Sequence, residues 1–276
     1  MMSILNAFLN KVFEILFFPF QNLNPWFGML FISLLTGILM LFIFKITSNQ
    51  KGIKKTKNKI KAHLLELRLY KDDLRTSFKA QGNILLSNLK YMKYSIKPLL
   101  VMIIPIILIL IQSNFWFGYD SLKTEEKALL KIKLSEGYVP EEFDVHINTP
   151  DSIIIETTPL RINEENEIDW RFSATQKGVH QIQIQAGGNS LSKPVSVEQK
   201  PLSQISPVKK RKSFFNQLLY PAEKPIDNHS PIKSVEITYP SSGLYLLGIK
   251  IHWILAFFVL SIIFGFSLKS LFGVEI

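Results

Sequence analysis

Two apolar runs stand on either side of a polar, strongly basic stretch, Ser48 to Lys97, and that order leaves few folds open. The stretch carries 13 Lys/Arg, from Lys51 to Lys97, against three acids, Glu66, Asp72 and Asp73, for a net charge of +10. This equals the formal net charge of the whole 276-residue chain, so the remainder sums to zero. Charge confined to one short loop between membrane spans is a statement about topology, because Lys/Arg-rich loops stay cytoplasmic.

The flanking runs are long enough to be spans. Trp26 to Ile46 is apolar until Lys45, and Asn24-Pro25 suits a helix start. Pro98 to Phe117 is the second span, with Pro105 inside it expected to kink the helix. Leu247 to Leu268 reads as the third. With the basic loop inside, the N-terminus and residues 118–246 lie outside and the C-terminus lies inside. The 118–246 segment has 15 Lys/Arg and 17 Asp/Glu, net −2, in contrast to the loop. The localisation expected is a bacterial cytoplasmic (inner) membrane. A basic chain also raises nucleic acid as a partner, but here the charge flanks spans, and no DNA partner is expected.

Residues 1–20 do not read as a signal peptide. Lys11 and Glu14 interrupt the apolar run and no small-residue cleavage site follows. Ile4, Phe8, Val12, Ile15 and Leu16 fall near helical spacing, which reads as an amphipathic helix, 1–22, in the membrane interface; an ordinary buried helix is the competing reading.

Within the basic stretch Ile53, Ile60, Leu67 and Leu74 are seven apart. Leu64, Phe78, Leu85 and Met92 fit a second heptad position, interrupted by Lys57 and Lys71. The pattern predicts coiled-coil-like helices packed along a seam. Both ends must return to one membrane face, so the stretch is a hairpin. Tyr70 to Asp73 is the turn, with Asp72 or Asp73 as cap, and the arms are about 49–69 and 73–96. Gly82-Asn83 is a competing turn that leaves very unequal arms.

Residues 118–135 look like a short helix followed by a strand or linker. Then the pattern becomes alternating. Residues 144–147, 152–157, 167–174, 179–186 and 194–198 read as strands, separated by turns such as Thr149-Pro150-Asp151, Gln176-Lys177-Gly178 and Gly187-Gly188-Asn189. The expectation is an extracytoplasmic β-sandwich of immunoglobulin-like character at about 138–200, with Trp170 in its core. The proline-rich 199–245 segment reads as irregular, with Val235 to Tyr239 as a last strand. Inside it, Lys209 to Lys212 precedes the apolar Ser213 to Tyr220, which is either an outer lipid contact or a solvated linker.

No chemistry is legible. The chain has no cysteine, which removes disulfides, thiolate metal sites and a Cys nucleophile. The histidines are His63, His146, His180, His229 and His252, none paired at ligand spacing. GxSxG, HExxH and phosphate-loop motifs are absent, so no catalytic residue, metal or cofactor is expected and the chain is not read as an enzyme. Three spans also do not make the paired repeats of a transporter. The better lead is polar residues in the spans, which are costly in lipid. Ser33, Thr36, Gly37, Met40 and Phe44 share a face of the first span, with Lys45 near its cytoplasmic end. Gln112 and Ser113 lie at the outer end of the second span, and Ser261 and Ser267 in the third. These residues either line a groove or mediate close helix packing, and Lys45 either joins them or snorkels to the surface.

The layout resembles a known family. An outer amphipathic helix, a span, a basic cytoplasmic hairpin turning at an acidic pair and a proline-bearing span are similar to the YidC/Oxa insertase superfamily. Within it, the passage Leu89-Lys90-Tyr91-Met92-Lys93, Lys97-Pro98 and Ile104-Pro105 looks most like the branch of the third subunit of the ER membrane protein complex and its archaeal and bacterial relatives. The resemblance covers about residues 4–117 and 246–268. It implies a three-helix membrane core with a hydrophilic groove that assists membrane-protein insertion or folding, a chaperone-like role without nucleotide. Groove candidates are Ser33, Thr36, Lys45, Gln112, Ser113 and Ser261. Hairpin contacts to a nascent or small membrane protein, or to a ribosome, would come from Lys54, Lys55, Lys57, Lys59 and Lys61. Two departures stand out: the first span has no Arg, and residues 118–246 form a large insert between the second and third spans. The insert supports a rival reading, a membrane-anchored scaffold whose β-domain binds an envelope or other protein partner.

Overall fold

Asn49 and Asp73 start the two arms of the basic stretch in the computed structural model, which describes residues 2–275. The Asn49 side-chain oxygen accepts from the Gly52 N–H at 2.9 Å and begins α3, Gln50–Leu69. It follows α1 (Met2–Phe17, extended by a short 3-10 turn to Phe20) and α2 (Pro25–Thr47). One Asp73 oxygen accepts from the Arg75 and Thr76 N–H groups at 3.0 and 3.3 Å, and the next helix, α4, begins at Leu74. The Thr76 hydroxyl, then the backbone N–H groups, hold the Asp73 carboxyl below the usual carboxylate range.

α4 runs without interruption from Leu74 to Phe117, 44 residues or ~66 Å, so the second hairpin arm and the second span are one helix. The sequence reading ended one helix at Ile96 and began another at Pro98. Pro98 and Pro105 each remove one backbone donor, but so long a helix keeps its remaining hydrogen bonds and passes through both.

The chain divides into two compact units. The first comprises residues 29–109 and 254–276: most of α2, the hairpin, the lower part of α4 and α6 (Trp253–Leu268). Its hairpin seam follows the heptad expectation only in part: Ile53 is buried and Ile60 and Leu67 half-buried, but the second series is not. Ile53, Thr56 and Ala80 are buried, whereas Leu64, Phe78, Leu85 and Met92 are exposed. The reason is local: a side chain at Gly52 would stand 3.0 Å from the Tyr94 ring, so the arms approach through small residues and leave the larger apolar ones outside.

The second unit comprises residues 1–28 and 110–253. Its β-domain contains a sheet of order β3-β5-β1-β9-β8, with β4 also on β5, and a three-stranded sheet β2-β6-β7, all antiparallel. The strands are β1 (Lys127–Leu134), β2 (Val145–Asn148), β3 (Ile153–Ile155), β4 (Leu160–Ile162), β5 (Glu167–Ala174), β6 (Gly178–Ala186), β7 (Asn189–Val197), β8 (Val208–Lys210) and β9 (Ile232–Ile237). Ile132, Trp170 and Phe172 of one sheet share a core with Ile184 and Val195 of the other. The domain therefore draws on more chain than 138–200. The expected helix near residue 118 is absent, and β1 pairs in the middle of the larger sheet because Leu130, Ile132 and Leu134 alternate inward. The proline-rich segment contributes β8, the short helix α5 (Phe214–Leu219) and β9.

The start of the third expected span is also corrected. β10 (Leu244–Leu246) and β11 (Ile249–Ile251) form a hairpin around Leu247 and Gly248, both with positive φ as a primed two-residue turn needs. Short apolar runs suit strand and helix alike, and here the strand wins. α6 is left with 16 residues, ~24 Å against the roughly 30 Å of a bilayer core. Among the described residues, the helices long and apolar enough to cross a membrane are Met2–Phe20, Pro25–Thr47 and Leu74–Phe117.

Candidate functional site

In the unit that holds the hairpin, α2 and α6 cross closely at Gly37. A side chain there would lie 3.2 Å from the Ser261 carbonyl and from Phe264 Cβ, and 3.3 Å from the Gly265 nitrogen. Small residues at such a crossing let helix backbones approach. Beside the crossing, α2, α4 and α6 border a half-open cavity of about 350 Å³. Thr36, Gly37, Met40, Met102, Phe257 and Ser261 are among its walls.

The cavity is apolar apart from two hydroxyls. Thr36 donates to the Ile32 carbonyl of its own helix at 2.7 Å. Ser261 Oγ is buried without a hydrogen-bond partner and is the polar atom left over in the wall. Met40 and Met102, flexible and polarizable, face the same space and suit a lining that must fit varied shapes.

The sequence-predicted residues scatter. Thr36 and Ser261 line the cavity together. Ser33 is buried one turn away, its hydroxyl 3.8 Å from the Met29 sulfur. Lys45 is exposed and is not among the cavity residues. Gln112 and Ser113 belong to the other unit, buried at the top of α4, where Gln112 donates to the Asn10 side chain at 3.0 Å. Met102, Ile106 and Phe257 were not legible as site residues, since apolar residues in an apolar span carry no signal of what they face. Gly37 was the readable trace, and Gly265, the small residue opposite it, was not singled out.

Four of the five hairpin lysines divide between two clefts. Lys54 and Lys57 border a cleft with the C-terminal tail, where Lys57 pairs with Glu275 at 3.2 Å and the Gln50 side chain accepts from the Glu275 N–H at 2.7 Å. The Lys57 hydrogen bond, aided by the charges of Lys57, Lys54 and Lys61, holds the Glu275 carboxyl below its usual range. Lys55 and Lys59 border a separate cleft of about 400 Å³ between the arms, with His63, Ser87, Lys90 and Tyr94. Lys61 is exposed. Outside both clefts, Phe78, Leu85, Leu89, Met92 and Ile96 form an exposed apolar ladder along α4.

The β-domain carries its own cleft, about 410 Å³, on the outer face of the larger sheet. Leu129, Thr157, Leu160, Asp169 and Arg171 border it. Burial, then the neighbouring Glu167 charge, pushes the Asp169 carboxyl up to about 6, although Lys131 lies 3.6 Å away. Among the described residues no group of three or more His, Asp or Glu is placed to hold a metal ion.

No protein-family model and no curated protein matches the chain. Among solved structures, S-layer protein SbsC domains 4 and 5 align at 18% identity over 29% of this chain and 47% of that one, with a TM-score of 0.23. SbsC domains 5–6 align at 14% identity over 44% and 58%, with a TM-score of 0.24. A longer SbsC structure aligns at 13% identity over 48% and 22%, with a TM-score of 0.23. The chain spans about half the length of the first of these, and likenesses at such TM-scores carry no argument about fold or function.

Proposed function

We propose that this integral membrane protein is insertase-like and assists the insertion or folding of other membrane proteins without catalytic chemistry or cofactor. The observation that carries the reading is the cavity at the Gly37 crossing, walled by flexible methionines and one unpartnered hydroxyl. A site of this kind shelters an apolar segment and offers one polar atom to it, which is narrower than the hydrophilic groove implied by resemblance. The basic, apolar-laddered hairpin would receive the client first, in reach of its negative charges.

Two sets of contacts support the proposed orientation in a bacterial cytoplasmic membrane. Glu275 on Lys57 and Gln50 puts the C-terminal tail with the hairpin, on the side assigned to the cytoplasm. Asn6 on the Gln217 carbonyl puts the N-terminal helix with the inserted, immunoglobulin-like β-domain, on the side assigned to the exterior. Depletion in the native cell followed by membrane proteomics tests the function. Loss of small, few-span proteins is expected; unchanged levels of that class overturn the reading.

The cleft bordered by Asp169 and Arg171 favours a second reading, a scaffold that binds an envelope or other protein partner through its β-domain. Deleting the β-domain while keeping the protein at normal abundance separates the two. Persistent client insertion favours the insertase, and complete loss of phenotype with a stable product favours the scaffold.

A further inference from the structure

The helix α1 is partly inverted for a protein in water, with a largely apolar outer face interrupted by the exposed Lys11–Glu14 pair. Its inward face carries Asn6, Asn10, Phe13 and Phe17, while Ile4, Phe8 and Ile15 point outward and are exposed. The short helix α5 of the inserted domain shows the same inversion. Phe214, Phe215 and Leu219 are exposed, and Asn216 and Gln217 are half-buried.

The half-buried asparagines have a definite task. Asn6 donates its side-chain N–H to the Gln217 carbonyl at 2.6 Å, and Asn10 donates to the Pro221 carbonyl at 2.8 Å. Gln217 lies in the last turn of α5, where helix carbonyls have no partner within the helix. Gln112 then donates to the Asn10 side-chain oxygen at 3.0 Å and ties the pair to the end of α4. At the other end of α5, the Ser213 hydroxyl oxygen accepts from the Asn216 N–H at 3.1 Å. Backbone groups satisfied from within, with apolar side chains outside, are what an apolar medium demands and water does not.

We infer that α1 and α5 form one lipid-inserting clamp that holds the β-domain against the membrane face, with Phe8, Phe214 and Phe215 in the boundary between headgroups and acyl chains. The occupant is lipid rather than a protein partner for three reasons. Asn6 and Asn10 of α1 and Asn216 and Gln217 of α5 turn inward, and the exposed charges of α1, Lys11 and Glu14, pair with each other at 3.0 Å. The surface is continuous in sequence with α2 and α4, which are apolar and long enough to cross a bilayer. Lys212, exposed immediately before α5, offers a cation to headgroup phosphates, whereas Lys209, Lys210 and Arg211 of the same run are engaged within the domain by the Ser192 carbonyl, the Tyr220 ring and Ser135. The inference goes beyond the insertase reading and does not depend on it, since it concerns only how the inserted domain is held.

The absence of cysteine in the chain makes the test direct. Single cysteines placed by Phe8→Cys, Phe215→Cys and, as an aqueous control in an exposed turn, Glu164→Cys are labelled with an environment-sensitive fluorophore. The full chain is reconstituted in phosphatidylcholine–phosphatidylglycerol vesicles containing lipids with nitroxides on the acyl chain. A blue shift and strong quenching are expected at positions 8 and 215 and neither at 164. A label at 215 as unquenched as that at 164 overturns the inference and leaves α5 a water-facing or protein-facing surface. Adding Asn6→Ala and Asn10→Ala is expected to remove quenching at 215 and retain it at 8. Quenching at 215 that survives the loss of both asparagines overturns the coupling of the two helices.

Discussion

The ammonium of Lys193 is completely buried and donates to the carboxylate of Glu223, which reaches it from the segment after α5. The same ammonium donates to the Ser206 carbonyl at 2.8 Å. Lys193 lies on β7, so the pair fastens the irregular 199–231 segment to the smaller sheet. Burial pulls the Lys193 pKa down and Glu223 opposes that pull. A buried pair is weak evidence for net stability, but breaking one partner leaves an uncompensated charge.

Glu223→Ala is therefore expected to destabilise the β-domain by about 3–5 kcal/mol. Lys193→Met combined with Glu223→Leu is expected to recover most of the loss, because neither charge is then buried. Denaturant unfolding of the full chain in detergent, followed by tryptophan fluorescence, measures both. A Glu223→Ala variant as stable as the parent would show that the ammonium finds another partner and that the pair does not hold the segment.

Gly37 gives a second prediction, on the membrane unit. The atoms a new side chain meets are backbone groups of Ser261 and Gly265 and the Cβ of Phe264, none of which can swing aside. Gly37→Val must push α2 and α6 apart, and overpacking of this kind typically costs about 1–3 kcal/mol. Gly37→Ala is expected to cost less. Thermal stability in detergent tests the order; a valine variant at least as stable as the parent would mean the crossing is loose and the cavity walls are not fixed by it.

How much of this was legible from sequence depends on the kind of signal. The hairpin turn was readable because Asp73 is a capping residue placed where the chain must reverse. The alternation in 167–174 and 179–186 gave strands that the structure contains, since a half-buried strand writes its own period into the chain. β1 was read only as a strand or linker after a short helix, because the partners that make it a central strand, β5 and β9, are remote in sequence. Leu247 to Ile251 was taken for helix because an apolar run has no period to read. The exposed ladder on α4 was assigned to a seam for a related reason: a heptad shows which residues share a face, not whether a partner covers it. Of the site, Thr36, Gly37 and Ser261 were visible as small or polar residues in lipid. Met40 was noted only as sharing their face.

Asp169 sets a pH prediction. Its carboxyl is raised in the folded state to about 6, first by burial and next by Glu167. An acid with a raised folded pKa favours the fold when protonated. Its contribution is present below the ordinary unfolded value near 4 and is lost as pH rises through about 6. Asp169→Asn keeps the shape without the charge, so it is expected to raise the melting temperature at pH 7.5 and to lose that advantage at pH 4. Melts of the detergent-solubilised chain at the two pH values check it. A destabilised asparagine variant at pH 7.5 would mean that the contact with Lys131 outweighs burial.

The apolar ladder on α4 supplies the last prediction. Phe78, Leu85, Leu89, Met92 and Ile96 repeat at three and four or their sums, so they share one face, and all are exposed. The opposite face of α4 is committed to α3 through Ala80 and Tyr94. Lys79, Lys90, Lys93 and Lys97 border the ladder, so the surface combines an apolar stripe with cationic edges. An extended apolar surface left in water marks an interaction site, and an amphipathic or nascent apolar segment with acidic flanks fits this one. Photo-reactive residues at Leu85 and Met92 are expected to crosslink newly made membrane proteins during translation in membranes. The same residue at Asn58, exposed on α3, is expected to give little. Aspartate at both ladder positions, Leu85→Asp and Met92→Asp, is expected to abolish client crosslinks from a probe at Leu89 while leaving the lysines in place. Crosslinks at Leu85 and Met92 that reach only lipid would make the ladder a membrane contact. Equal yields at Asn58 would reduce it to nonspecific encounter, and either result would remove the hairpin from the client's path.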